Sequence, residues 1–315
     1  MKKNIAVRVL SVFLCMAFIL GAVNISAFAT PAEDAHLHFN DDGKFRIINF
    51  SDIQDDATLD SRTKSFLRQA VLYNSPDIIV LTGDNIYGPE VKTAANARSA
   101  IGKFMSVFEE LGVPVAIVFG NHDDQDCISK EDQMAIYNSY SVSISYDEGT
   151  SMAGCGTYNV PIYSSTNSNK VAFNLWMFDT GSSQNISGYD YMRDNQLNWY
   201  RSKANELKAQ NGGVRVPSIA FQHIIVKEIY NALKQVSSGT SGAQSYNGKY
   251  YVLPDNAAPG SVLNEHPCPS NHTGEFDAVA AQGDVLAIVS GHDHENSFIV
   301  PYRGIDLINT PTCGF

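Results

Sequence analysis

Short apolar runs alternate with amphipathic stretches along the first third of the chain. Lys44–Ser51 (KFRIINFS) alternates and then turns apolar, the pattern of a core strand. Phe66, Leu67, Ala70 and Val71 share one helical face, with Asp60 or Ser61 as cap and Asn74-Ser75-Pro76 as stop. Ile78–Leu81, bounded by Pro76 and Gly83, lacks polar alternation and predicts a strand buried on both faces. Ala97, Ile101, Phe104, Phe108 and Leu111 recur every three or four positions, an amphipathic helix closed by Gly112 and Pro114, and Val115–Phe119 follows as a third strand. Strand, helix, strand, helix, strand is the order of a parallel sheet with right-handed crossovers.

Beyond Phe119 the pattern changes. Lys130–Tyr140 is helical or mixed, whereas Thr157–Tyr163 and Val171–Asp179 are strand-like with no clear helix between them, which predicts antiparallel pairing. Leu197, Tyr200, Ala204 and Leu207 mark another helix. Pro217–Phe221, Asp284–Ser290, Phe298–Val300 and Ile305–Asn309 read as further strands. Residues 30–43, with His36 and His38, form a polar lead-in, and 237–250, rich in Ser, Gly and Tyr, reads as an exposed loop. No repeat or linker interrupts the chain, so one domain over 30–315 is expected.

Composition narrows the setting. The 315 residues, 44% hydrophobic, suffice for one large core or two modest ones. A net charge of −11 argues against a nucleic-acid scaffold as partner, because no basic stripe is present to neutralise phosphates. Lys2, Lys3 and Arg8 precede the apolar run Val12–Val23, and Ala27-Phe28-Ala29 offers small residues where a signal peptidase reads. That run is too short for a spanning helix. Residues 1–29 are therefore expected to be a signal peptide, and the mature chain to be secreted or in the cell envelope with no stable membrane span. Removing those three cations from 22 leaves 19 against 33 acidic residues, net −14. Cys127, Cys155, Cys268 and Cys313 then remain, as one or two disulfides of undeduced pairing or as buried thiols.

The polar residues that follow the strands carry the chemistry. Five strand ends present Asp52 and Gln54, Asp84 and Asn85, Asn121 with His122 and Asp123, His223, and His292 with His294. Strand ends are where α/β sheets place their sites. Oxygen and imidazole donors without thiolate suit zinc, iron, manganese or a mixed pair, and they are too many for one four-coordinate ion. Two ions sharing a carboxylate would use them all.

This series resembles that of the calcineurin-like metallophosphoesterase superfamily: D-x-H, G-D-x, G-N-H-D/E, a lone His, then G-H-x-H, in order from Asp52 to His294. The segments FxxSDIQ, LTGDNIYG, FGNHDD, SGYDYMRDNQLNWY, AFQHIIVKEIY and VSGHDHENSF look most like its purple-acid-phosphatase-related branch. The resemblance implies a four-layered α/β/β/α sandwich with mixed sheets. It also implies two divalent or mixed-valence metal ions, iron, manganese or zinc. Asp52, Asp84, His294 and either Gln54 or Tyr87 would hold the first, and Asp84, Asn121, His223 and His292 the second, with Asp84 bridging. By the same resemblance the chain would hydrolyse phosphate monoesters by in-line attack of a metal-bridging hydroxide. His122 would serve as acid at the leaving oxygen, and Asp123 would orient its imidazole. A phosphorylated small molecule or a phosphoprotein would be the substrate.

One motif departs from the pattern. Gln54 stands where the superfamily has His, and a neutral amide oxygen is the weaker donor for a borderline-soft ion. Gly83-Asp84-Asn85-Ile86-Tyr87 fits the tyrosine-bearing motif of true purple acid phosphatases, so Tyr87 is either that ligand or a packing residue. The rival functions are a phosphodiesterase or nucleotide-directed hydrolase on the same metals, and, from another class, a metal-depleted binding protein, which Gln54 favours. Asn85 reads as a pocket donor or a helix cap, and the loop Asn264–Phe276, with His266 and His272, as pocket lining or solvated surface. Family members continue past the strand Ile305–Asn309, so a C-terminal truncation is also expected.

Overall fold

The sidedness of the buried strands sets the layers. In the computed structural model, which describes residues 29–125, 127–149, 151–184, 188–272 and 274–315, a one-turn helix α1 (Pro31–Asp34) precedes β1 (Ile47–Phe50), α2 (Ser61–Asn74), β2 (Ile78–Thr82), α3 (Ala94–Leu111) and β3 (Val115–Val118). These three strands pair in parallel in that order. Both helices are capped by local side chains: Asp60 accepts from Arg62 N–H and Thr93 from Asn96 N–H. Gly112, in the left-handed region, ends α3.

Next come α4 (Lys130–Tyr137), the antiparallel pair β4 (Tyr158–Ser164) and β5 (Asn167–Phe178), a small hairpin β6 (Ser183–Gln184) and β7 (Gly188–Tyr189), α5 (Asp194–Gln210) and β8 (Ser218–Gln222). After α6 (Ile229–Ala232) the chain makes β9 (Lys234–Val236), β10 (Gln244–Tyr246) and β11 (Lys249–Val252). It ends with α7 (Glu275–Gln282), β12 (Val285–Ser290), β13 (Phe298–Tyr302) and β14 (Ile305–Asn309). The second large sheet has the order β13-β14-β12-β8-β5-β4. Its four central strands run parallel, and its two edge strands are antiparallel to their neighbours.

Successive residues of β2 and β3 face opposite ways. Ile79, Leu81, Val115 and Ile117 pack with Leu67, Ile101 and Phe104 of α2 and α3, whereas Ile78, Val80, Ala116 and Val118 meet Tyr158, Val160, Leu175 and Met177 of the second sheet. That sheet's far side, through Trp176, Phe178, Ala220 and Ile288, is covered by Leu197 and Tyr200 of α5 and Phe276 and Val279 of α7. The layers are thus helix, sheet, sheet, helix, as the resemblance implied, and each fully buried aliphatic or aromatic side chain contributes about 1.5–3 kcal/mol. Residues 31–315 cluster as one compact unit. The expected signal peptide, 1–29, lies outside the described residues but for Ala29.

The pattern misread two places. The stretch 237–250 is not simply an exposed loop: it supplies β10 and the first half of β11 in the antiparallel sheet β9–β11. Asn247 and Gly248, both at positive φ, make a two-residue turn, and Tyr246 and Tyr251 bury against Tyr230. The Asn-Gly pair was the available signal. Helix α7 was hidden because its apolar positions occupy barely two turns. Among the described residues no helix is long and apolar enough to cross a membrane, and Cys155, Cys268 and Cys313 are thiols outside any disulfide.

Glu275, at the start of α7, is buried with neither carboxylate oxygen hydrogen-bonded, and burial pushes its pKa up to about 8, Glu228 adding to the effect. The unfolded chain releases this proton near the ordinary glutamate value, about 4.3. Below that value both states hold the proton. Between it and about 8 only the folded state does, so stability falls as pH rises through this window. Thermal denaturation should therefore give Glu275→Gln a higher melting temperature than the natural chain at about pH 8 and an equal one near pH 4.5. A difference that does not change with pH would contradict this.

Candidate metal centre

Loops from both large sheets meet at one rim, and their backbones approach closely enough to exclude side chains. Asp52 and Gln54 follow β1, Asp84 follows β2, Asn121 and His122 follow β3, His223 follows β8, and His292 and His294 follow β12. A Cβ on Gly120 would stand 2.2 Å from Asp84 Oδ1, and one on Gly291 would stand 1.8 Å from Ser51 Oγ and 2.7 Å from Asp52 Oδ2. Glycine is the residue that fits at both. Asp52, Gln54, Asp84 and His292 all adopt left-handed backbone, with φ of 53°, 42°, 48° and 73°. This conformation costs non-glycine residues on the order of 1–2 kcal/mol each. Hydrogen bonds from Asp52 N to Gly83 O and from Gln54 N to Asp84 O hold two of them in place.

Asp84 is the buried hub. Its Oδ1 accepts from the His122 backbone N–H at 2.7 Å. Its Oδ2 accepts from Gln54 Nε2 at 2.9 Å and lies 3.2 Å from His223 Nε2. The His223 Nδ1–H donates to Thr82 O at 2.8 Å, which leaves Nε2 as the inward nitrogen, 3.2 Å from Asn121 Oδ1. Burial opposes charge on both partners and their mutual attraction outweighs it. His223 is pushed up to about 10, while His223 and His122 hold Asp84 well below the usual carboxylate range.

The second carboxylate is arranged in the same way. Asp52 Oδ2 accepts from Ser51 Oγ at 2.5 Å and from His292 N–H at 3.0 Å. Its Oδ1 has no hydrogen bond and lies 3.3 Å from His294 Nε2. That contact raises the pKa of His294. His292 Nε2 is buried without a partner, and burial together with the charge of His223 pushes its pKa down to about 3.

These residues fit a cation pair. Asp84 Oδ2, Asn121 Oδ1 and the lone pair of an Nδ1-protonated His223 are three acceptors facing one another, an arrangement that needs a proton or a metal ion at its centre. Asp84, His223 and His292 also place one ligand atom each within 4.8 Å of the others. Asp52 Oδ1 and His292 Nε2 are two buried acceptors left over, where buried polar atoms are normally satisfied.

Every expected ligand except Tyr87 joins this set. The Tyr87 ring instead packs against the His122 ring, centroids 5.1 Å apart. Gln54 is present but offers Asp84 its amide N–H, so its oxygen is not the atom facing the hub. The role expected for Asp123 is not observed. Its carboxylate accepts from the backbone N–H groups of Gly120, Asn85 and Ile86, which ties the β2 and β3 loops together. Gln125 Oε1 accepts from His122 Nδ1 at 2.9 Å instead, because the short turn after His122 brings position 125 back under the ring. Asn85 is neither pocket donor nor cap, since its amide donates to Val118 O inside the fold. His266 and His272 are exposed. Sequence spacing gave no sign of Ser51, Gln125 or Tyr189, whose ring meets His292 edge-on at 4.1 Å.

The family model of calcineurin-like phosphoesterases matches residues 45–296. The chain is 27% identical to probable inactive purple acid phosphatase 14 of Arabidopsis thaliana, across 96% of this chain and 77% of that one. Phosphatase DCR2 of Saccharomyces cerevisiae is 23% identical, across 64% and 38%. The crystal structure of a dimetal phosphatase from Danio rerio shares the fold, with a TM-score of 0.54 at 16% identity over 85% and 88% of the two chains.

The two candidates for the first site make opposite demands on metal content. Gln54→Ala should lower manganese or zinc affinity on the order of tenfold by removing a neighbour of Asp84, and Tyr87→Phe should leave it unchanged. Equilibrium dialysis with metal analysis decides. A visible tyrosinate-to-iron band lost in Tyr87→Phe would reverse the assignment.

Proposed function

The chain belongs to the calcineurin-like phosphoesterase family, and from that premise we propose that it is a secreted hydrolase of phosphate monoesters with two metal ions at the rim. Asp52, Asp84 and His294, with Gln54 alongside, would hold one ion, and Asp84, Asn121, His223 and His292 the other. The observation that supports this most is the set of facing acceptors around Asp84 Oδ2. When bound, the ions supply Lewis acidity, a nucleophilic water at neutral pH and neutralisation of phosphoryl charge.

The chain's own groups would do the rest. Asn121 and the two carboxylates fix the metal positions before substrate arrives, so little reorganisation accompanies reaction. Gln125 occupies His122 Nδ1, and His122 Nε2 lies 4.0 Å from Asp84 Oδ2. Nε2 is therefore the nitrogen that would face the leaving oxygen, and it would donate a proton there from the imidazolium form, with Nδ1–H still held by Gln125. Asp124, two residues after His122 in the chain, helps line a cavity of about 510 Å³ with Lys130, Tyr191 and Arg193. The organic part of a phosphorylated substrate would sit there. Lys130 and Arg193 are each paired with a carboxylate, Asp179 and Asp190, so the lining favours a polar rather than a strongly anionic group.

One observation favours a second reading, a binding protein without turnover. Gln54 presents N–H rather than a lone pair to Asp84, and two Arabidopsis thaliana relatives matched over most of this chain carry the word inactive in their names.

Purified chain loaded with manganese, iron or zinc and assayed on p-nitrophenyl phosphate and its bis ester separates the two. Metal binding with faster cleavage of the monoester supports the hydrolase, whereas less than one ion per chain and no turnover would overturn it. His122→Ala should keep its metals and lose kcat by about a hundredfold or more. Retention of full kcat would remove His122 from the reaction.

A further inference from the structure

A thiol lies beside the rim. Cys268 Sγ, a nitrogen of His292 and a carboxylate oxygen of Asp293 all fall within 4.8 Å of one another. Cys268 is half-buried and Asp293 is 2% exposed. Asp293 Oδ1 accepts from the Cys268 backbone N–H at 3.0 Å, but its Oδ2 is buried with no hydrogen bond, as is His292 Nε2. The thiol reaches the His266 carbonyl at 3.6 Å and also interacts with the Asp293 carboxylate. Off the rim, Asp179 and Asp284 have both oxygens hydrogen-bonded, whereas Glu275 has neither. What sets Asp293 apart is that its unsatisfied oxygen lies with a thiol and an imidazole, two further metal-binding groups.

The loop that carries Cys268 is held rigidly. Tyr230 OH donates to Pro267 O at 2.6 Å, Ser270 N–H to Ile225 O at 3.0 Å, and the N–H groups of Asn264 and Glu265 both donate to Asn296 Oδ1. Neighbouring groups therefore fix the thiol's position, as preorganised ligands require.

We propose that Cys268, Asp293 and His292 form an accessory site for a soft divalent cation of the zinc or cadmium class. Sulfur, imidazole and carboxylate make a three-ligand set with a fourth position open to water. Tetrahedral zinc with bonds of about 2.0–2.3 Å spaces its ligands roughly 3.3–3.8 Å apart, so side-chain rotation of about 1 Å closes the set. Binding forms a sulfur–metal bond and releases the thiol proton to solvent.

His292 is common to this site and to the proposed centre. A neutral imidazole has one lone pair, so it serves one of the two at a time. An excess of soft cation would draw His292 from the rim and inhibit the enzyme. This last consequence rests on the functional reading above; the accessory site does not.

Titration of the full metal-free chain with cadmium, followed by thiolate-to-cadmium ultraviolet absorption, tests the site without reference to turnover. The natural chain should develop the band, Cys268→Ser should lack it, and Asp293→Asn should need on the order of tenfold more cadmium. No band in the natural chain, or the same band in Cys268→Ser, would overturn the proposal. Saturating manganese, which gives no such band, should weaken cadmium binding. If manganese binds and the cadmium titration is unmoved, the sharing of His292 is wrong. If manganese fails to bind while the cadmium band persists, the centre is wrong and the accessory site stands.

Discussion

One buried carboxylate, Asp84, constrains the rim. Its two oxygens receive the His122 backbone, the Gln54 amide and the His223 imidazole, which come from loops after β3, β1 and β8 and so from both sheets. That convergence requires the chain to pass within a methyl group's radius of the carboxylate, and Gly120 makes it possible. It also requires Asp52, Asp84 and His292 to adopt left-handed backbone, which the surrounding ladder and loop hydrogen bonds enforce. The C-terminal segment adds to this restraint. Thr312 Oγ1 donates to Asp52 O, Cys313 N–H to Ser51 O, and Phe315 N–H to Thr63 Oγ1 of α2.

Buried acids elsewhere show what distinguishes a site from scaffolding. Asp284 accepts from Tyr200, Trp176 and Ser218, and Asp179 pairs with Lys130 and accepts from the Cys155 and Gly181 N–H groups. Their partners are fixed protein donors, so these carboxylates lock the second sheet to its helices and have no capacity left for a ligand. At the rim the balance is reversed. Asp52 Oδ1 meets the His294 imidazole without a hydrogen bond, His292 Nε2 has no hydrogen-bond partner, and His223 must hold an extra proton for its contacts with Asp84 and Asn121 to be favourable. The stability lost there is what a cation would restore.

Gln54 stands at the position where the motif series implied histidine. An amide that donates to Asp84 helps neutralise the hub without a metal, as a histidine with its lone pair turned inward would not. The glutamine therefore offsets charge on Asp84 and weakens one side of the proposed centre. Cys268 and Asp293 add donors beside His292.

The sequence by itself determined most of the helices and strands and the order of the motif residues. Apolar runs and 3.6-residue periodicities are local consequences of burial, so β1 to β3, α2, α3 and α5 were legible, and the motif order from Asp52 to His294 carried the family. Tertiary structure decided the partners. That Gln125 rather than Asp123 holds the His122 ring, that Tyr87 packs on His122 instead of facing Asp84, and that Cys268 lies beside His292 depend on how loops from different sheets fold over one rim. Hydrogen-bond partners tens or hundreds of residues apart leave no periodic trace, because direction and distance, rather than spacing along the chain, determine which groups meet.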